Sequence, residues 1–99
     1  MENLDSAPDT HLDLFQTISM LRTPEECRLF FTDLCTPTEI SSFADRWLVA
    51  KTVARGIPYR KVHDITGVST ATITRVARHL SHGYGGYRSM LARQNGEET

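Results

Sequence analysis

Apolar residues recur every three to four positions along most of the chain, which is the spacing of one helix face. Leu14, Phe15, Ile18 and Leu21 predict a first helix from Thr10. Thr23-Pro24-Glu25-Glu26 then reads as a fresh start. Thr23 can cap, Pro24 suits the first helical position, and Glu26 stands where a capping box needs it. Leu29, Phe30 and Leu34 continue a short second helix. The same grammar returns at Thr36-Pro37-Thr38-Glu39, where Cys35 and Ile40 flank the start as a hydrophobic staple would. Phe43, Trp47, Leu48, Ala50, Val53 and Ala54 extend this third helix over roughly 37–55, until Gly56 and Pro58 stop it.

The stretch from Pro58 to Leu80 carries the most information. A short helix places Val62 and Ile65 on one face, Gly67 supplies a turn, and Ser69 or Thr70 caps a further helix through Ile73, Val76, Ala77 and Leu80. Helix, short glycine turn and helix is the layout of a helix-turn-helix, here about 58–80. Thr70–Val76 is rich in β-branched residues and nearly alternates, which taken alone suggests a strand. The three-to-four spacing persists through Leu80, a cap and a turn precede it, and no other segment would pair with it, so helix is expected. Gly83, Gly85 and Gly86 then break the chain before a last short helix bearing Tyr87, Met90 and Leu91. The expected organisation is a loose arm at 1–9, one helical domain over 10–93 and a frayed tail at 94–99.

Composition changes this picture little. The 99 residues are 39% hydrophobic and 23% charged, ordinary globular usage that excludes wholesale disorder. A chain of this length buries only roughly 65% of its unfolded surface, so a second copy would help to complete the core. No apolar run approaches the roughly 18 residues of a membrane span, and the acidic start lacks a signal peptide's apolar stretch. A soluble, cytoplasmic protein without a membrane partner is expected. Cys27 and Cys35 fit no metal or redox spacing and are expected to be reduced, in or near the core. His79 and His82 could share a helix face, but two ligands without a neighbouring cysteine or carboxylate make a poor metal site, and none is expected.

Charge changes it more. The net charge of −1 hides two opposed halves. Residues 46–93 hold nine basic side chains and one acid, Asp64, for a net +8; residues 1–45 hold two basic side chains and nine acids, for −7. A basic half of this density suits a polyanion, although the two halves could also neutralise each other within a dimer. The chain has no phosphate loop, nucleophile elbow or carboxylate pair, so no enzyme is expected. In a helix-turn-helix the second helix turns its first residues to the major groove. Here these are Thr70, Ala71, Thr72 and Thr74, whose hydroxyls and methyls suit base edges. Arg60 and Lys61 at the first helix are placed for phosphate or guanine, and Arg75 and Arg78, further along the second, suit phosphates.

The string Ala71-Thr72-Ile73-Thr74-Arg75 after Gly67 resembles the recognition motif of the Trp repressor superfamily, and Thr36-Pro37, Arg46 and Arg55-Gly56 resemble its long central helix at the right separation. The glycine- and tyrosine-rich segment after the second helix is most similar to the Trp repressor-related YerC/YecD branch. The resemblance covers about residues 30–82. It implies an all-α, Trp repressor-like multi-helical domain of six helices, an intertwined homodimer, and double-stranded DNA as partner. Such a dimer sets two reading helices one DNA turn apart on a near-palindromic operator. Carried over, Arg60 corresponds to a direct DNA contact and Thr70, Ala71, Thr72 and Thr74 to the operator-facing helix start. Arg46 and Arg75 correspond to the arginines that sandwich the corepressor's indole ring, and Thr36 to a residue near that pocket. Two positions depart from the pattern: Val76 stands for a glycine, and His79 for the serine that holds the corepressor's amino group. Both weigh against L-tryptophan, so no cofactor is assigned and a different small corepressor stays open. The expectation is a bacterial transcriptional regulator, most simply a repressor. The alternatives are an assembly module that keeps the fold without operator binding, and a small-molecule sensor with its ligand between Arg46 and Arg75.

Overall fold

A computed structural model describes residues 8–96. They form six helices: α1 (Asp9–Ile18), α2 (Pro24–Leu34), α3 (Pro37–Ala54), α4 (Tyr59–Thr66), α5 (Thr70–His82) and α6 (Gly86–Gln94). No strand occurs among the described residues, so the β-branched run of 70–76 is helical. The chain separates into two compact units, Met1–Thr36 and Pro37–Thr99, where the periodicity predicts one domain over 10–93.

The first unit holds α1 and α2. The helical backbone begins at Asp9, the last residue of the expected arm, and the rest of that arm up to residue 7 lies outside the described residues. α1 ends at Ile18, so Leu21 falls in the connection rather than on the predicted helix. Thr23 caps α2 by accepting the Glu26 N–H at 3.1 Å. The second half of the expected capping box differs. Glu26 Oε1 accepts from the Arg22 N–H at 2.9 Å, one residue ahead of the cap. A glutamate there is long enough to satisfy the residue before the cap instead. Glu25 forks onto Arg28, Arg28 Nε donating at 2.9 Å and Nη2 at 2.7 Å. Both side chains are well exposed. The pairing holds the Glu25 carboxyl below its ordinary value and raises the Arg28 guanidinium. Neither helix buries a residue. Leu12, Phe15, Leu29 and Leu34 are each about half exposed, and the free cysteines Cys27 and Cys35 are half-buried rather than core.

The second unit owns the core. Val49 and Ala50 of α3, Val62 of α4, Val68 of the turn, and Ile73 and Val76 of α5 pack as one cluster, with Trp47, Val53, Ile57 and Tyr87 against it. Val49, Val62 and Ile73 are wholly buried, each contributing about 1.5–3 kcal/mol relative to exposure. The four apolar positions predicted for α5, Ile73, Val76, Ala77 and Leu80, are its four buried residues. α3 ends at Ala54, and Gly56 follows in the left-handed conformation at φ 82°. One prediction for α4 fails: Val62 is buried but Ile65, three positions on, is 57% exposed. α4 is only eight residues long, and the core reaches it through Val62 alone. No helix among the described residues is long and apolar enough to cross a membrane.

Candidate nucleic-acid interface

The connection between α4 and α5 is three residues long and bonded at every step. The Thr66 hydroxyl donates to the Val62 carbonyl at 2.7 Å and accepts from the Val68 N–H at 3.1 Å. Gly67 takes the left-handed conformation, φ 73°, that a side chain would strain. His63 Nδ1 donates to the Val68 carbonyl at 2.7 Å, which requires the proton on Nδ1 because a carbonyl only accepts. Val68 is then buried in the core. Ser69 caps α5 by accepting the Thr72 N–H at 3.2 Å, and its hydroxyl lies 3.1 Å from that of Thr72. The angle between the two helices is therefore held by side-chain bonds as well as by packing.

Burial of Ile73, Val76, Ala77 and Leu80 turns the opposite face of α5 to solvent. Thr70, Ala71, Thr74, Arg75 and Arg78 are exposed there. Arg60 and Lys61 are exposed in the first turn of α4. None of these four cations is bonded to an acid among the described residues, where the one salt bridge is Glu25–Arg28. The Thr74 hydroxyl donates to the Thr70 carbonyl at 2.9 Å, so its proton is used within the helix and its oxygen can still accept. Thr72 differs from its neighbours. It is half-buried and lines a polar cleft of about 230 Å³ with Ser42, Asp45, Arg46 and Ser69.

Of the residues expected around an effector, Arg46, Arg75 and His79 come together. With Val76 and Tyr87 they line a cleft of about 90 Å³. Thr36 belongs to the other compact unit and is not among these residues. Arg46 makes no ion pair with Asp64 among the described residues. Two features escaped the sequence. The Trp47 and Tyr87 rings stack with centroids 6.3 Å apart and 16° between planes. They wall a wider apolar cavity of about 490 Å³, shared with His79, Tyr84 and Met90. An aromatic pair split between a long helix and a glycine-rich segment leaves no periodic signal, although Tyr87 is conspicuous among the glycines. No group of three or more metal-ligating side chains occurs among the described residues.

Six helices, a core confined to α3, α4 and α5, and a cation-lined α4–α5 pair define an all-α protein of the six-helix kind. The model of the Trp repressor protein family matches residues 10–95, and the chain belongs to that family. It is 44% identical over 97 residues to the uncharacterised protein YerC of Bacillus subtilis (strain 168), spanning 97% of this chain and 93% of that protein. Among solved structures it is similar to a TrpR-like protein from Eubacterium eligens ATCC 27750, with a TM-score of 0.87 and 37% identity over 98% of this chain and all of that one. It is also similar to a candidate Trp repressor from Staphylococcus aureus, with a TM-score of 0.86 and 40% identity over the full length of both.

Proposed function

We propose that the chain is a sequence-specific DNA-binding transcriptional regulator, acting as a homodimer and most simply as a repressor. The observation that carries this reading is the α4–α5 pair. Its connection is fixed by bonds from Thr66, His63 and Ser69, while Arg60, Lys61, Arg75 and Arg78 stand exposed, with no salt bridge to an acid among the described residues. A rigid helix-turn-helix with free cations is what phosphate contact requires. Thr70, Ala71, Thr72 and Thr74 of α5 and Arg60 of α4 are the base-reading positions in this proposal. Thr72 supports the helix start from its cap.

The dimer reading rests on α1 and α2. An amphipathic helix that buries nothing within its own chain needs a partner face. Leu12, Phe15, Leu29 and Leu34 supply the apolar surface that an intertwined second copy would cover. Family membership supports both readings.

The test is selection of genomic fragments on the purified protein at roughly 0.15 M salt, followed by sequencing. The expected result is an enriched near-palindrome with half-sites about one helical turn apart. Retention of fragments without a motif would reduce the protein to a non-specific binder. No retention would favour an assembly module built on the same fold.

A further inference from the structure

We infer that Tyr87, stacked on Trp47, positions α5 from the side of α6, so that the spacing of Arg46 and Arg75 is set by the chain's own rings and not by a ring bound between the two arginines. The inference rests on the DNA-binding reading above.

Three observations converge on Tyr87. First, α6 is nine residues long and buries none of them fully, so its hold rests on a few half-buried side chains. Its attachment comes through the Tyr87 ring, which packs against the core and stacks on Trp47 of α3. Second, α6 is tied directly to α5. Arg88 Nε donates to the Leu80 carbonyl at 2.8 Å, satisfying a carbonyl in the last turn that has no partner further along the helix. The chain between the two helices has little freedom. A Cβ on Gly83 would sit 2.3 Å from the His79 carbonyl oxygen, so no other residue fits that exit. Thus α3, α6 and α5 are joined in series through Trp47, Tyr87, Arg88 and Leu80.

Third, the same ring takes up space beside the two arginines. Tyr87 lines the cleft of Arg46, Arg75, Val76 and His79, which holds about 90 Å³. Small-molecule sites are usually about 300–1,000 Å³. The cleft is therefore too small for a ring to lie between Arg46 and Arg75 while Tyr87 keeps its place. Arg75 projects from α5 and Arg46 from α3, so whatever fills this cleft sets their separation. Here Val76, His79 and Tyr87 form its remaining walls and leave only that small space.

Operator affinity would then be present without any added effector. Tyr87→Phe keeps the stack and should stay within about twofold of wild type. Tyr87→Ala should lose about tenfold in operator affinity while its affinity for non-specific duplex is unchanged. Its α5 amides should exchange about tenfold faster, with α4 unaffected. Phenol, the missing ring, should recover operator affinity at millimolar concentration, as engineered apolar cavities accept small aromatics. Should the alanine variant not fold, Tyr87→Leu keeps the apolar contact and removes the stack. The inference is overturned if wild type needs an added small molecule to select its operator, if Tyr87→Ala and Tyr87→Leu select it like wild type, if Tyr87→Phe falls as far as the alanine variant, or if phenol restores nothing. Amide exchange of α5 separates the two readings. If wild type binds no DNA, the functional reading fails, and the exchange rates still decide whether the ring braces the helix.

Discussion

α5 and α1 are both amphipathic helices, yet α5 buries Ile73, Val76, Ala77 and Leu80 whereas α1 buries nothing. Periodicity marks an apolar face but does not say what covers it. For α5 the cover is local in sequence, because α3 and α4 supply Val49, Ala50 and Val62. For α1 and α2 the stripe of Leu12, Phe15, Leu29 and Leu34 is left about half exposed. The difference separates side chains that build the fold from side chains available for assembly.

The largest expected effect tests the first half of that contrast. Ile73 is wholly buried, so Ile73→Ala should cost about 3 kcal/mol in urea unfolding, within the range for core truncation. Part of that cost should persist at every protein concentration. Phe15→Asp tests the second half. It should leave the α3–α5 core intact and weaken dimerisation about a hundredfold, roughly 2.7 kcal/mol, read by sedimentation at micromolar concentrations. An unaltered association state would remove α1 from the dimer interface. If Phe15→Asp instead unfolded the monomer, the contrast between the two helices would be lost.

The next effect lies within the basic surface. Arg60→Ala should cost about 2 kcal/mol on the selected operator and relax base preference. Arg78→Ala should instead weaken all duplexes alike and lower the salt slope by about one. Equal behaviour of the two variants would mean that α4 and α5 meet phosphates only.

The helix starts and the α5 face were legible in the sequence because each rests on local chemistry. Thr23-Pro24, Thr36-Pro37 and Ser69 mark starts that α2, α3 and α5 keep, and Gly56 and Gly67 mark stops. Ile65 was misjudged because a three-residue interval in a helix of eight residues does not fix which face meets the core. Residue type groups Thr72 with Thr70 and Thr74, and what the sequence does not show is that Thr72 is half-buried and shares a cleft with Asp45 and Arg46. Arg46 and Arg75 were paired by resemblance, and they do share a cleft. Its small volume was not legible, since that depends on a tyrosine arriving from α6.

The smallest expected effect concerns Glu25 and Arg28, whose pairing is clear and whose side chains are both well exposed. The folded-state carboxyl lies below its ordinary value because the guanidinium donates to it. Its contribution is therefore present above the unfolded carboxylate range and is lost as pH falls through the lower, folded value. Water and salt screen such a pair, so its weight in stability is slight. Glu25→Gln should shift Tm only marginally at neutral pH, by less still in high salt, and not at all once both forms are uncharged near pH 2. A large shift, or one that grows as pH falls, would show that the fork on α2 serves as more than a surface pair. Because α2 buries no residue of its own, such a result would make this surface the place where its helix is held.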